Sequence, residues 1–232
     1  TASADAKTTQ SAGGVSASLV KGQVNSAIAQ VNTLAHAAIL GNGSIQSTLA
    51  LSVTATGTAT ANAGIQAPTF SVSVINIAAN VIAATLSSTQ KAYIQGATVK
   101  AGSVTVKSSY NEGKTEGASA KLTGTGADVK FSFVGFDVNT ATAISAATNH
   151  AYVSGASFQT GTGALLVEAV GTSIADGSVQ QISGLGYVSI GVTVIYAYAN
   201  GDFKAYVDTT GALMNVTSVT VKTTYIADAD AE

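Results

Sequence analysis

The chain has 232 residues, 46% of them apolar and only 9% charged, and a net charge of −2. All ten cations are Lys, which leaves neither the basic face that a nucleic-acid partner requires nor a polybasic patch for anionic lipid. Cys is absent, which removes disulfides, thiolate metal sites and a Cys nucleophile together and fits a secreted chain.

In chain order, the opening TASADAKTTQ lacks a charged stretch followed by an apolar one, so no secretion signal is expected there. The first patterned block is VSASLV from Val15. The segment after it, Gln23 to Leu40, reads in two ways. Val24, Ala27, Ile28, Val31, Leu34 and Ile39 lie near one face of an amphipathic helix, whereas alignment with Ile77 to Gln95 favours strand and turn. Pro68, the single Pro, stands just before the next strand, where its missing N–H is tolerated. That strand reads FSVSVI from Phe70. The longest apolar run, Val72 to Leu86, contains Asn76 and Asn80 and falls short of the roughly 20 residues that cross a bilayer. No membrane span is expected, and the chain reads as soluble.

KAYIQGATVKAGSVTVKSS follows from Lys91, and then a charged stretch, Tyr110 to Glu116 (YNEGKTE), expected as a solvated loop. VKFSFV from Val129 leads into HAYVSGASFQTGTGALLVEAV from His150. VSIGVT from Val188 leads into KAYVDTTGALMNVTSVTVKTT from Lys204, and the chain stops at DADAE as if cut from something longer.

These blocks are copies of one repeat. Ala37, Ala92, Ala151 and Ala205 are equivalent, spaced by 55, 59 and 54 residues, each preceded by His or Lys (His36, Lys91, His150, Lys204). Asn25, Asn80 and Asn139 hold one register in the preceding block, and Tyr198 takes that place in the last unit when VSIGVT is aligned with VKFSFV. Four units follow, at about 15–69, 70–128, 129–187 and 188–232, in one elongated body without internal boundaries.

The units read as strands. Phe70 to Val74, Val129 to Phe133, Ser103 to Lys107 and Ser218 to Lys222 alternate apolar and polar residues with period two. Small residues at fixed register (Ala37, Ala92, Ala151, Ala205, and Gly41, Gly96, Gly155) are expected to point inward, against a narrow core. An all-β solenoid follows, its strands stacking on those of the next coil. With about 20 residues per coil, each unit makes about three coils and the chain eleven or twelve. At ~4.8 Å per coil, the rod is about 50–60 Å long.

The repeat A-Y-I/V-x-G-A-x-V … G-S-V-T-V-K-S with its V-S-V-x-V block resembles the passenger repeats of large secreted bacterial surface proteins. These are the filamentous adhesins and leukotoxin-like proteins exported by two-partner secretion or as autotransporters. The resemblance covers almost the whole chain. It implies a right-handed parallel β-helix, export through an outer-membrane pore and display at the cell surface, in structural, adhesive or toxic roles.

Candidate chemistry is sparse. His36 and His150 are expected some six coils apart, nearly 30 Å, too far to share a metal. The carboxylates Glu112, Glu116, Asp128, Asp137, Glu168, Asp176, Asp202 and Asp208 are scattered, whereas a glycosidase needs two facing ones. Without Arg or Trp, recognition of acidic sugars is disfavoured. The chain is therefore expected to be no enzyme. Gly124 to Asp128 (GTGAD) is a lone echo of a calcium-binding nonapeptide, so calcium is the one cofactor considered and otherwise none is expected. Thr54, Thr56, Thr58 and Thr60 alternate, with pairs at Thr123/Thr125 and Thr160/Thr162, at differing places in each unit, which argues against an ice-binding array. Tyr93, Tyr152 and Tyr206 recur, with Ala38 in the first unit, and alternation points them outward. They form a surface contact row for a glycan or protein, or else cover an adjacent loop. The partners considered are copies of this chain, assembling into fibres or a surface layer, and a host or cell-surface glycan or protein.

Overall fold

The computed structural model describes residues 1–11, 14–66, 69–123, 129–180, 185–208 and 215–232, with the side chains of 14–16, 69–71, 129–130 and 185–186 left aside. The fold is all-β. Among the described residues thirteen strands run in order: β1 (Ala2–Ser11), β2 (Gly14–Leu40), β3 (Ser44–Gln46), β4 (Ala50–Gln66), β5 (Thr69–Gln95), β6 (Thr98–Lys100), β7 (Ser103–Tyr110), β8 (Ala118–Thr123), β9 (Val129–Ser154), β10 (Ser157–Phe158), β11 (Ala164–Val179), β12 (Leu185–Asp208) and β13 (Val219–Ala231). The segment Gln23 to Leu40 is strand and lies wholly within β2, so strand propensity and pairing override its helical pattern. Pro68 and Gly124 to Asp128 lie outside the described residues.

The strands form three sheets: a long one ordered β2-β5-β9-β12, a small one ordered β3-β6-β10, and a broad one ordered β1-β4-β7-β11-β13 with β8 also bridging β4 and β11. Every strand pair is parallel. The chain visits the long, small and broad sheets in that order and then returns beside the strand it laid down one repeat earlier.

This register corrects the expected dimensions. Ala37 pairs directly with Ala92, Ala92 with Ala151, and Ala151 with Ala205. One repeat is therefore one circuit, and the expectation of three circuits of about 20 residues per repeat fails. Five strands of the broad sheet stack over about 19 Å, in place of a 50–60 Å rod. The long dimension runs along the strands instead: β2 and β5 have 27 residues each. The last unit is also realigned. Val188 pairs with Val134, so VSIGVT matches VGFDVN and not VKFSFV. Thr193 stands beside Asn139, and Tyr198 stands beside Ile144. Two blocks of alternating Val, Ser and Phe are similar enough to mislead an alignment by five residues.

The long strands cannot be straight throughout. Thr8 Oγ1 donates to the Ile28 carbonyl (3.1 Å), and the Ser26 amide donates to Gln10 Oε1 (2.9 Å), so the end of β1 lies across from Ser26 to Ile28. The step from Ser11 to Gly14 spans at most ~11 Å. Extended chain from Gly14 to Ser26 spans ~40 Å. The first part of β2 must therefore run out and fold back as an arch. Its apex falls at Leu19, where the register omits a pair, as it does at Val74, Phe133 and Tyr187 in the strands above. The inside–outside alternation slips there too, since Ser73 and Asn76 are both buried.

Two clusters fill the interior between the long and broad sheets, and small residues dominate them, including Ala29, Ala84 and Ala143 in one row and the fully buried Ala92 and Ala151. The expected inward Ala is thus observed. Gly41, Gly96 and Gly155 have another role: they turn the corner after each long strand at φ of 98°, 77° and 59°, where a Cβ is strained. They do not line the core.

Polar side chains inside the body pair along the stack. Asn25 Nδ2 donates to Asn80 Oδ1 and Asn80 Nδ2 to Asn139 Oδ1, each at 2.8 Å. Asn80→Ala would break both bonds and strand two buried amides. We expect it to lower stability by about 1–3 kcal/mol in chemical denaturation. An unchanged midpoint would show that the row carries no stability.

Candidate functional site

The three Tyr of the predicted contact row meet. Tyr93 and Tyr152 stack with centroids 4.8 Å apart and planes at 6°, and Tyr152 and Tyr206 stack at 5.0 Å and 2°. They sit on the outward face of the long sheet because their neighbours Ala92, Ile94, Ala151 and Val153 are buried on the other. The stack spends ring faces on ring faces. Only the two end rings keep a free face for a sugar. Burial, then the neighbouring phenols, pushes the Tyr152 phenol above its ordinary value.

Beside this row stands the cationic one. His36, Lys91, His150 and Lys204 occupy successive strands at a single register position. His36 and His150 are therefore two strand spacings apart, about 10 Å and not the expected 30 Å, with Lys91 between them. His150 Nε2 lies 2.9 Å from Asp202 Oδ2, and Lys204 Nζ lies 2.8 Å from Asp202 Oδ1. The Lys204 ammonium and then the His150 ring hold the Asp202 carboxyl below its usual range. Among the described residues no group of three His, Asp or Glu is placed to hold a metal ion.

The carboxylates disperse. Glu112 and Glu168 share Lys107 at 3.0 and 3.4 Å, and Lys222 reaches Glu168 at 3.4 Å. Lys107, Glu168 and Lys222 form one row across β7, β11 and β13. The Lys107 hydrogen bond lowers the Glu112 pKa, and the same bond raises that of Lys107. Asp176 pairs in register with Asp230. Asp137 lies within the arch, where its Oδ1 is buried and makes no hydrogen bond. Asp208 ends β12 opposite Ser154, and Asp128 lies outside the described residues. Thr54, Thr56, Thr58 and Thr60 all face outward from β4, but Thr54 lies beside Lys107, and Thr60 bonds Asp5. Thr162 is buried at a turn and bonds the Gln159 carbonyl at 2.7 Å, and Thr125 lies outside the described residues.

The charged stretch after Tyr110 is the one place among the described residues where the repeat departs from the strand path. Tyr110 pairs with Gly57 and Ala118 with Ala61, so the loop Asn111 to Gly117 replaces Thr58 to Thr60. Tyr110 itself is fully buried, and that burial raises its pKa. Asn111, at φ 45°, mends the gap. Its side chain accepts from the Ala59 amide at 2.8 Å and donates to the Ala59 carbonyl at 2.9 Å, as a strand residue would. Beneath the loop lies a cavity of about 380 Å³ lined by Asp5, Thr58, Thr60, Asn111, Lys114 and Glu116. Sequence reading took the loop as solvated and missed both Asn111 and the cavity. The signal was the excess of loop over repeat between Tyr110 and Ala118.

Comparison with protein-family models, with curated proteins and with solved structures finds no match to this chain.

Two outcomes test this geometry. Replacing Tyr93 and Tyr206 with Ala exposes Tyr152 and brings its titration down toward an ordinary phenol, read by NMR of ring-labelled tyrosine. An unmoved midpoint would mean that the stack does not shield it. Asn111→Ala leaves the Ala59 amide without its partner and speeds its hydrogen exchange by about tenfold or more. Unchanged exchange would mean that the loop mends nothing.

Proposed function

We propose that the chain is a β-solenoid segment, one turn per repeat, that serves as a structural and adhesive part of a secreted bacterial surface protein. It works by stacking and contact and not by catalysis, and it takes no resident cofactor. One observation carries the reading: the sequence repeat is the stacking repeat, so equivalent Ala, Asn and Tyr residues stand directly on one another. A body of this kind lengthens by adding repeats, and each repeat contacts only its neighbours. The right hand of the coil and the cell-surface location rest on the resemblance to filamentous-adhesin passengers. No helix among the described residues is long and apolar enough to cross a membrane.

A second reading, a binding module for a surface glycan, is favoured by the cavity beneath loop Asn111 to Gly117, whose Asp, Asn and Thr lining suits hydroxyl groups. The Tyr row favours it less, because its ring faces are occupied.

Negative-stain electron microscopy of the untagged chain at native concentration tests the structural reading. We expect filaments or sheets built from thin, wide plates. Only dispersed single particles, together with glycan-array binding lost on Thr60→Val, would replace assembly by the binding reading.

A further inference from the structure

The outward faces of the two large sheets differ in kind. The broad sheet carries charge across its stack, including the row of Lys107, Glu168 and Lys222. The outward side of the long sheet carries none from the arch apex to the row Asn32, Ser87, Ala146 and Asn200, because Lys21 and Asp137 in that span alternate to the inner side with Asn25 and Asn139, and its first charge is Asp202 in the row after. Toward the apex that field is apolar and open to solvent, and toward its other end Gln30, Asn32, Thr85 and Asn200 make it polar but still uncharged. Leu19 is 77% exposed at the apex, Phe133 60% and Tyr187 86%, and Phe136 and Ile190 remain exposed in the limb that returns from it. Chain ends do not cause this exposure, because the β5 and β9 parts of the field have neighbours on both sides.

We infer that this uncharged face of the long sheet is where two copies of the chain pair laterally. The inference rests on the assembly reading above and locates its contact. Three features point to a second copy. The first is extent. Fourteen residues along the strand by four strands make a field of roughly 45 × 14 Å, about 650 Å². A standard stable interface takes ~600–1,000 Å² from each partner.

The second feature is charge. Self-pairing by a two-fold axis brings like rows near like rows, and an uncharged field then sets no charges of one sign against each other. The third is shape. The apex row grows bulky toward one end, where Phe133 and Tyr187 stack at 5.4 Å, and is slighter toward Leu19 and Val74. A two-fold axis parallel to the strands sets apex over apex and the aromatic end of one copy over the aliphatic end of the other.

The test is sedimentation velocity of the chain against Phe136→Asp/Ile190→Asp, with Thr220→Asp on the broad sheet as control and circular dichroism on all three. We expect the parent and the control to self-associate, and the double variant to keep its β spectrum while its dissociation constant rises at least about a hundredfold. Association unchanged in the double variant would place the contact elsewhere and overturn the inference while leaving the assembly reading intact. A parent that stays monomeric at high concentration would overturn both. A monomeric parent that floats with neutral phosphatidylcholine vesicles would give the face to lipid instead. Should the double variant lose its β spectrum, the milder Phe136→Ser/Ile190→Thr takes its place, with the same loss of association expected.

Discussion

Each repeat of this protein lies directly on the one before it, residue over equivalent residue, and the rest of the structure depends on that register. Parallel pairing at one repeat per turn makes every position a row of like or near-like side chains. A row is stable only if its members suit one another at strand spacing. Ala suits this inside, because two sheets with small facing residues approach closely and leave no void. Asn suits it as well, since a primary amide both donates and accepts and so passes a hydrogen bond up the row from Asn25 to Asn139. Aromatic rings suit it outside, where Tyr93, Tyr152 and Tyr206 stack with their planes nearly parallel. Charges suit it where they alternate, as in Lys107, Glu168 and Lys222, and where a neighbouring row compensates them, as Asp202 does for His150 and Lys204.

The same constraint explains where the body departs from regularity. A loop can enter a turn only if the neighbouring strand keeps its hydrogen bonds. Asn111 meets that condition by offering its side-chain amide to Ala59 in place of the displaced backbone. The arch is the other departure. Four strands bend at the same height, and their apex residues, Leu19, Val74, Phe133 and Tyr187, are large and apolar where solvation alone would favour polar ones. The broad sheet is charged and solvated on its outer face, whereas the long sheet is uncharged over most of its own. The molecule thus has a charged side and an uncharged side.

Much of this was legible in the sequence. Period-two alternation in FSVSVI and KFSF gave strands, and the recurrence of Ala37, Ala92, Ala151 and Ala205 gave the rows. The outward Tyr and the inward Ala followed from alternation alone. The size of a turn did not, because a pattern of period two fits any number of residues between corners. The expectation of about 20 residues per turn therefore overstates the distance between His36 and His150. The arch was illegible for a related reason: a bend that shifts the alternation by one leaves both limbs looking like good strand. The role of Asn111 was hidden because only the neighbouring turn shows which backbone groups it serves. The fourth unit was misaligned because VSIGVT matches VKFSFV and VGFDVN almost equally well.

The central claim is that one repeat makes one turn. Since the chain has no Cys, a pair introduced at Thr89 and Thr148 tests it directly. These residues are partners on adjacent strands, within the ~4.4–6.8 Å that a disulfide bridges between Cα atoms. The account predicts that Thr89→Cys/Thr148→Cys closes an intramolecular disulfide under mild oxidation, in monomer-dilute solution and without loss of β structure. If the two thiols stay reduced and spin labels on them lie about 14 Å apart, the three-turn spacing would be right and the account wrong.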